Sequence, residues 1–202
     1  MSEHEKFIWL DNPSSFMNNI TLNPRKIALF AILSALSLVI QLTPRPPNAE
    51  FTSFFTFLVG VFYGSLSGAF FGGFVMFLNG FLSPYGFAGF VMPFQMTGMA
   101  IAGIIGGIYG KKMPKHIGST QYIETAIIGA VVALVYDLVT NVGVGLQFAL
   151  SGLDITLAIL TAIAYGVFFS IIHIFSNSVV FGILTLPSFK ALNHLSGDDM
   201  IG

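Results

Sequence analysis

The chain has 202 residues, of which 54% are hydrophobic and only 8% charged, and its mean hydropathy is +0.83. Soluble proteins carry about 25% charged residues, so this composition excludes a water-soluble globular domain and indicates an integral membrane protein. The chain contains no Cys, which excludes disulfides, thiolate catalysis and thiolate metal sites.

In chain order, residues 1–24 form a polar tail with Pro13 and Pro24 as breakers. It has no apolar signal-peptide region, so insertion through the first span is expected. Arg25 and Lys26 introduce that span, Ile27 to about Leu42. Thr43 to Glu50 holds three prolines and two charges and is read as a loop. From Phe51 to Gly110, 60 residues pass without Asp, Glu, Lys or Arg. At about 20 apolar residues per helical crossing, that is enough for roughly three spans. They are about Phe51–Tyr63, which is short, Ser67–Leu82 and Val91–Tyr109, separated by a tight turn at Gly64–Gly68 and a break at Ser83–Gly86. Lys111, Lys112, Lys115 and His116, with Pro114, make a basic loop. The fifth span is about Ile123–Leu146, and Ser151–Asp154 breaks the chain before a sixth at about Leu157–Leu184.

Apolar runs of helical length favour helices over a barrel, whose strands would alternate polar and apolar residues. The expected fold is therefore an all-α integral membrane protein, a compact bundle of six transmembrane helices spanning residues 25–189. Tails at 1–24 and 190–202 flank it. Six spans put both termini on one side. Lys6, Arg25, Lys26, Lys111, Lys112, Lys115 and Lys190 fall on that side and only Arg45 on the other. The positive-inside rule then makes both termini cytoplasmic.

Small residues recur every four positions at Gly98-Ala102-Gly106-Gly110, Ala158-Ala162-Gly166-Ser170 and Ala31-Ala35. Such rows let helix backbones approach closely in lipid.

Asp137 is the main candidate for chemistry. A carboxylate at membrane depth costs about 2.5–3.5 kcal/mol on insertion scales, so it should face protein or a wet cavity. Gly129, Ala133, Asp137, Asn141 and Gly145 share one helix face. Either a solute or ion site, or an interhelical hydrogen bond, accounts for Asp137. Arg45 and Asn48 in the outer Pro-rich loop are placed to close over a solute, Arg45 offering a bidentate grip on an anionic group. A local Arg45–Glu50 pair is the alternative. Asn79 and Gln95 flank the second outer loop and either line the same cavity or cap helices. Tyr85, Phe87, Phe90 and Phe94 suit a flat ligand or an interfacial aromatic belt. His173, with Asn177 one turn on, is read as a hydrogen-bonded core residue. His4, His116 and His194 are scattered, so no metal cluster is expected. No G-x-x-x-x-G-K-[ST] is present, so the chain binds no ATP through a P-loop. Gly64-Ser65-Leu66-Ser67-Gly68 has Leu where a Ser-nucleophile elbow needs Ser.

Several of these features together resemble the substrate-binding (S) components of energy-coupling-factor (ECF) transporters, a class of ABC importer. Ala31-Ile32-Leu33-Ser34-Ala35 matches the family's A-x-x-x-A in the first span. The outer loop ending Pro47-Asn48-Ala49-Glu50, the Gly60/Gly64/Gly68/Gly72 series and Tyr136-Asp137-Leu138-Val139-Thr140-Asn141 are similar as well. The resemblance covers about residues 26–185. It implies capture of a vitamin, vitamin precursor or similar trace organic solute on the outer side of the plasma membrane. It also implies association with a membrane coupling protein and a pair of cytoplasmic ATPases, followed by toppling in the bilayer. Carried over, Ala31 and Ala35 would meet the coupling protein, and Gln41 to Glu50 would be the lid. The nickel and cobalt members have a His directly after the initiator Met; here the start is Met1-Ser2-Glu3-His4, which argues against a metal cargo. No cofactor and no nucleic acid partner is expected. The competing readings are a small intramembrane enzyme using Asp137 and His173, and a stand-alone carrier coupled to an ion gradient through Asp137.

Overall fold

A computed structural model describes residues 24–43, 48–83, 86–112 and 119–196. Arg45, Tyr85, Lys115, His116 and both ends of the chain lie outside the described residues. The chain divides into two compact units, 1–32 and 33–202. Among the described residues all regular structure is helical: α1 Pro24–Leu42, α2 Thr52–Tyr63, α3 Ser65–Leu82, a 3-10 turn Gly89–Val91, α4 Met92–Lys112, α5 Thr120–Leu150 and α6 Ile155–Ser196.

Four of the helices, α3 to α6, are long and apolar enough to cross a membrane; Ile27–Leu42 and Thr52–Tyr63 are shorter. At 1.5 Å per residue, 12-residue α2 reaches only about 18 Å against a hydrocarbon core of about 30 Å. Its surroundings account for this. Thr52 to Gly60 and Phe62 are all buried, so α2 is enclosed by protein rather than by lipid. Phe57 of α2 meets Phe181 of α6 at 5.0 Å and Tyr109 of α4 at 5.6 Å, and Phe62 stacks on Phe189 at 5.1 Å. These rings tie the short helix to α4 and α6.

The turn after α2 is tighter than the Gly64–Gly68 expectation. Gly64 alone reverses the chain, at φ +86°, and Ser65 already opens α3. Gly64 donates its N–H to Gly60 O at 2.9 Å, and Gly68 donates to Gly64 O at 3.0 Å, so the second glycine lies within α3. A residue with a Cβ disfavours that φ, whereas glycine takes it at no steric cost. Gly68 has a different job. A Cβ there would come within 2.6 Å of Gly60 Cα and 2.7 Å of Gly103 O. Gly60, Gly68 and Gly103 thus mark a crossing where α2, α3 and α4 touch backbone to backbone. The opposite face of α3 carries Phe70, Phe74, Phe77 and Phe81, all exposed, as a lipid-facing stripe.

α5 and α6 form a long antiparallel hairpin. Gly152 turns the chain at φ +102°, and Asp154 Oδ1 caps α6 by accepting from the N–H groups of Thr156 and Leu157 at 3.0 and 3.1 Å. Along the seam Gly145 lies on Ile159, Gly166 on Asn141, Gly129 on Asn177 and Phe181, and Gly182 on Ala126. The face expected from Gly129, Ala133, Asp137, Asn141 and Gly145 is therefore the face α5 turns to α6. Both helices outrun the expected spans. α6 passes through Pro187 and Lys190 to Ser196. Lys190 marks where the chain leaves the apolar region, and a polar side chain does not stop a helix.

Candidate solute site

A cavity of about 590 Å³ lies among the ends of several helices. Its walls are Gln41 of α1, Asn48, Met76 and Asn79 of α3, the loop residues Ser83, Gly86, Phe87 and Ala88, Gln95 of α4, Tyr136 of α5 and Phe169 of α6. The volume is in the range of small-molecule sites. Three residues singled out from the sequence, Asn48, Asn79 and Gln95, come together here from a loop and two helices. Among the described residues, none that lines the cavity carries a formal charge. Asn79 is buried at 8% exposure, and among the described residues the fully covered atoms Asn79 Oδ1 and Gln95 Oε1 have no hydrogen-bond partner.

Asp137 and Asn141 are not on the cavity wall. Asn141 packs on Gly166, where a Cβ would come within 2.6 Å of its Nδ2. Asp137 is 5% exposed and belongs to a cluster behind the wall. Its Oδ1 lies 2.8 Å from His173 Nδ1, and the other ring nitrogen, Nε2, lies 3.2 Å from Glu50 Oε1. Glu50 Oε1 also accepts from the Ser53 hydroxyl. Two carboxylate oxygens on the two ring nitrogens require two protons between them. With an imidazolium, or with a neutral ring and one protonated carboxyl, the cluster has a net charge of −1. Burial pushes the Glu50 carboxyl up, but the hydrogen bond and charge of His173, with hydroxyls of Ser53 and Thr52, bring it below the ordinary carboxylate value.

The cluster is joined to the cavity wall at two points. Tyr136, which lines the cavity, meets the His173 ring edge-on at 5.6 Å. The hydroxyl of Ser176, one turn after His173, is shared between the Asn48 carbonyl at 3.2 Å and the His173 carbonyl at 3.1 Å. Asn48 has φ +59°, a left-handed conformation that Asn tolerates better than most residues. The loop is thus pinned to α6 at the residue that faces the cavity.

Of the aromatic candidates, Phe87 lines the cavity. Phe94 does not: it packs against Gly143 of α5 and, at 5.8 Å, against Phe90. The sequence reading missed Gln41, Tyr136 and Phe169 as wall residues and Glu50 as the partner of His173. Glu50 and His173 are 123 residues apart, so no spacing signals the pair. The one available clue is that Glu50 is the last charge before the long uncharged run. Ser65, in the broken nucleophile motif, donates to Ile104 O at 3.3 Å and helps dock α3 on α4.

A family model described as the substrate-specific component of ECF transporters matches residues 25–185, most of the chain. No curated protein and no solved structure matches it. The match takes in α1 to α5, the loop between α1 and α2, and most of α6. The chain accordingly belongs to the ECF substrate-specific components: it is a multi-pass membrane protein that serves as a substrate-binding transport subunit and not as an enzyme.

Proposed function

We propose that this subunit captures a vitamin, vitamin precursor or similar trace organic solute from outside the cell in the cavity bounded by Asn48, Asn79 and Gln95. It delivers that cargo through a membrane coupling protein driven by two cytoplasmic ATPases. The observation that carries the reading is the convergence of four carboxamides, Gln41, Asn48, Asn79 and Gln95, from separate elements on one cavity beneath the outer loop. Arg45, which neighbours Asn48 in sequence, is available to the lid. Asp137, with Asn141, supports the site from behind rather than touching cargo. Residues 25–189 form the membrane domain, with 1–24 and 190–202 as cytoplasmic tails.

The coupling contact is assigned to α1. Ala28, Ala31 and Ala35 are exposed along one face of the helix, whereas Leu33, Ser34 and Ser37 are buried. Small exposed residues at this spacing suit a close approach by another membrane helix. Ala31→Trp and Ala35→Trp are expected to abolish co-purification with the coupling protein. Each should still release one small organic solute per chain on denaturation, read by mass spectrometry. Co-purification of both variants at wild-type yield would remove α1 as the contact. Uptake that survives ATPase inactivation but collapses with the proton gradient would replace the reading with an ion-coupled carrier, for which the Glu50–His173–Asp137 cluster is the available site.

The seven-to-one distribution of basic residues supports cytoplasmic termini. Because the chain has no Cys, single cysteines report cleanly. Thr43→Cys should react with an impermeant thiol reagent added to intact cells, and Lys112→Cys only after lysis. The opposite pattern would invert the topology.

A further inference from the structure

A second depression, a groove of about 590 Å³, lies between α5 and α6 and shares no residue with the solute cavity. On α5 it runs from Tyr122 to Val131. Small residues form its floor: a Cβ on Gly182 of α6 would come within 3.0 Å of the Ala126 Cβ of α5. Ile127 and Ile183, both exposed, form its rims.

Apolar walls alone do not choose an occupant, since every lipid-facing surface meets acyl chains. Length narrows the choice. From Tyr122 to Val131 the helix rises about 14 Å, close to half of a hydrocarbon core of about 30 Å. The groove is thus one leaflet deep. Beyond it the same stripe of α6 continues as Phe175, Ile171 and Phe168, all exposed. A partner helix crossing the whole bilayer would ride up on those side chains. An acyl chain of one leaflet ends before it reaches them.

Charge narrows it further. Val179, Ile183, Pro187 and Lys190 follow one another at spacings of four, four and three along the exposed side of α6. Lys190 therefore stands on the groove's own stripe, two turns beyond Ile183. Helical side chains lean toward the N-terminus of their helix, which turns Lys190 back toward the mouth of the groove. Lys111 and Lys112 close α4 at the same end. Among the described residues Glu124 is the one acid there, and its charge acts on Tyr109 of α4. Tyr122 at the mouth has the amphipathic ring that suits a membrane interface.

We propose that this groove binds one anionic phospholipid, with an acyl chain between α5 and α6 and the phosphate held at Lys190 and Tyr122. The site does not depend on solute capture.

The test titrates the full-length protein, stripped of lipid in detergent, with phosphatidylglycerol and with phosphatidylcholine of the same two acyl chains. Bound lipid is counted by native mass spectrometry. One phosphatidylglycerol per chain should be retained, about fivefold more tightly than phosphatidylcholine. Lys190→Gln should bring the two lipids to near-equal retention, whereas Lys112→Gln, off the stripe, should keep the preference. Ala130→Phe fills the groove and should lower retention of both lipids while eluting normally on size exclusion. Equal retention of the two lipids by the wild type, no retained lipid, a preference that survives Lys190→Gln, or one lost equally in Lys112→Gln would overturn the proposal.

Occupancy in the membrane is read by placing photoreactive benzoylphenylalanine at Ile127. An adduct with the mass of one phospholipid supports the site. A doubled mass, from a second copy of the chain, or an adduct with another protein would put a protein partner in the groove and refute it.

Discussion

His173→Leu is expected to destabilise the detergent-solubilised protein by about 3–5 kcal/mol, the usual cost of removing one member of a buried charged group. The thermal midpoint should fall by roughly 10 °C. The imidazole stands between two buried carboxyl groups, with Asp137 on one side at 2.8 Å and Glu50 on the other at 3.2 Å. Without it, both carboxylates face an apolar side chain, and Asp137 Oδ2, which has no partner even in the intact cluster, is joined by a second orphan. The same ring tethers the loop before α2 through Glu50, so solute affinity should fall with stability. The sign of a companion experiment is fixed by the same physics. Glu50→Gln and Asp137→Asn added to His173→Leu remove the stranded charges, and the triple variant should recover much of the lost midpoint. If His173→Leu melts like the wild type by size-exclusion-monitored heating, the cluster is not a charged group and the argument fails.

Gly103→Leu should prevent the protein from accumulating in the membrane in a monodisperse form. A Cβ at Gly103 would run into the backbone of Gly68 and Ala69, and backbone cannot swing aside as a side chain can. α3 and α4 would have to separate, and in lipid close packing is what holds two apolar helices together. Ordinary overpacking costs about 1–3 kcal/mol; a backbone crossing with no slack belongs at or above the top of that range. The consequence reaches the cavity, because α3 carries Asn79 and α4 carries Gln95. Gly103→Ala should accordingly show a milder form of the defect, with lower yield and weaker solute retention. Gly73 is the internal control. It lies in α3 with open space where a Cβ would go, so Gly73→Ala should be neutral or gain about 0.5–1 kcal/mol from reduced chain entropy. Equal yields for Gly103→Leu and Gly73→Ala would show that the crossing has slack.

By itself the sequence determined the class of solvent, the helical character and the order of the elements. Sixty uncharged residues after Glu50 can satisfy their backbone in lipid only as helices, and glycine, proline and serine interrupt them where the chain turns. It also turned Asp137 away from lipid, toward protein or a wet cavity, because a carboxylate at membrane depth is costly and Gly129, Ala133 and Gly145 share its face. Asn48, Asn79 and Gln95 were legible as polar residues at the ends of apolar runs. What the sequence does not encode locally is which distant groups meet. Only the tertiary structure decided that α2 is buried from Thr52 to Gly60 and at Phe62, which explains a helix too short to cross the bilayer. Only it joined Glu50 to His173 across 123 residues and placed Asp137 behind the cavity instead of on its wall. It likewise moved Phe94 out of the site and brought Tyr136 and Phe169 in. Periodicity reports which face of a helix is covered; what covers it is set by the packing of helices far apart in the chain, and so is the shape of the space they leave.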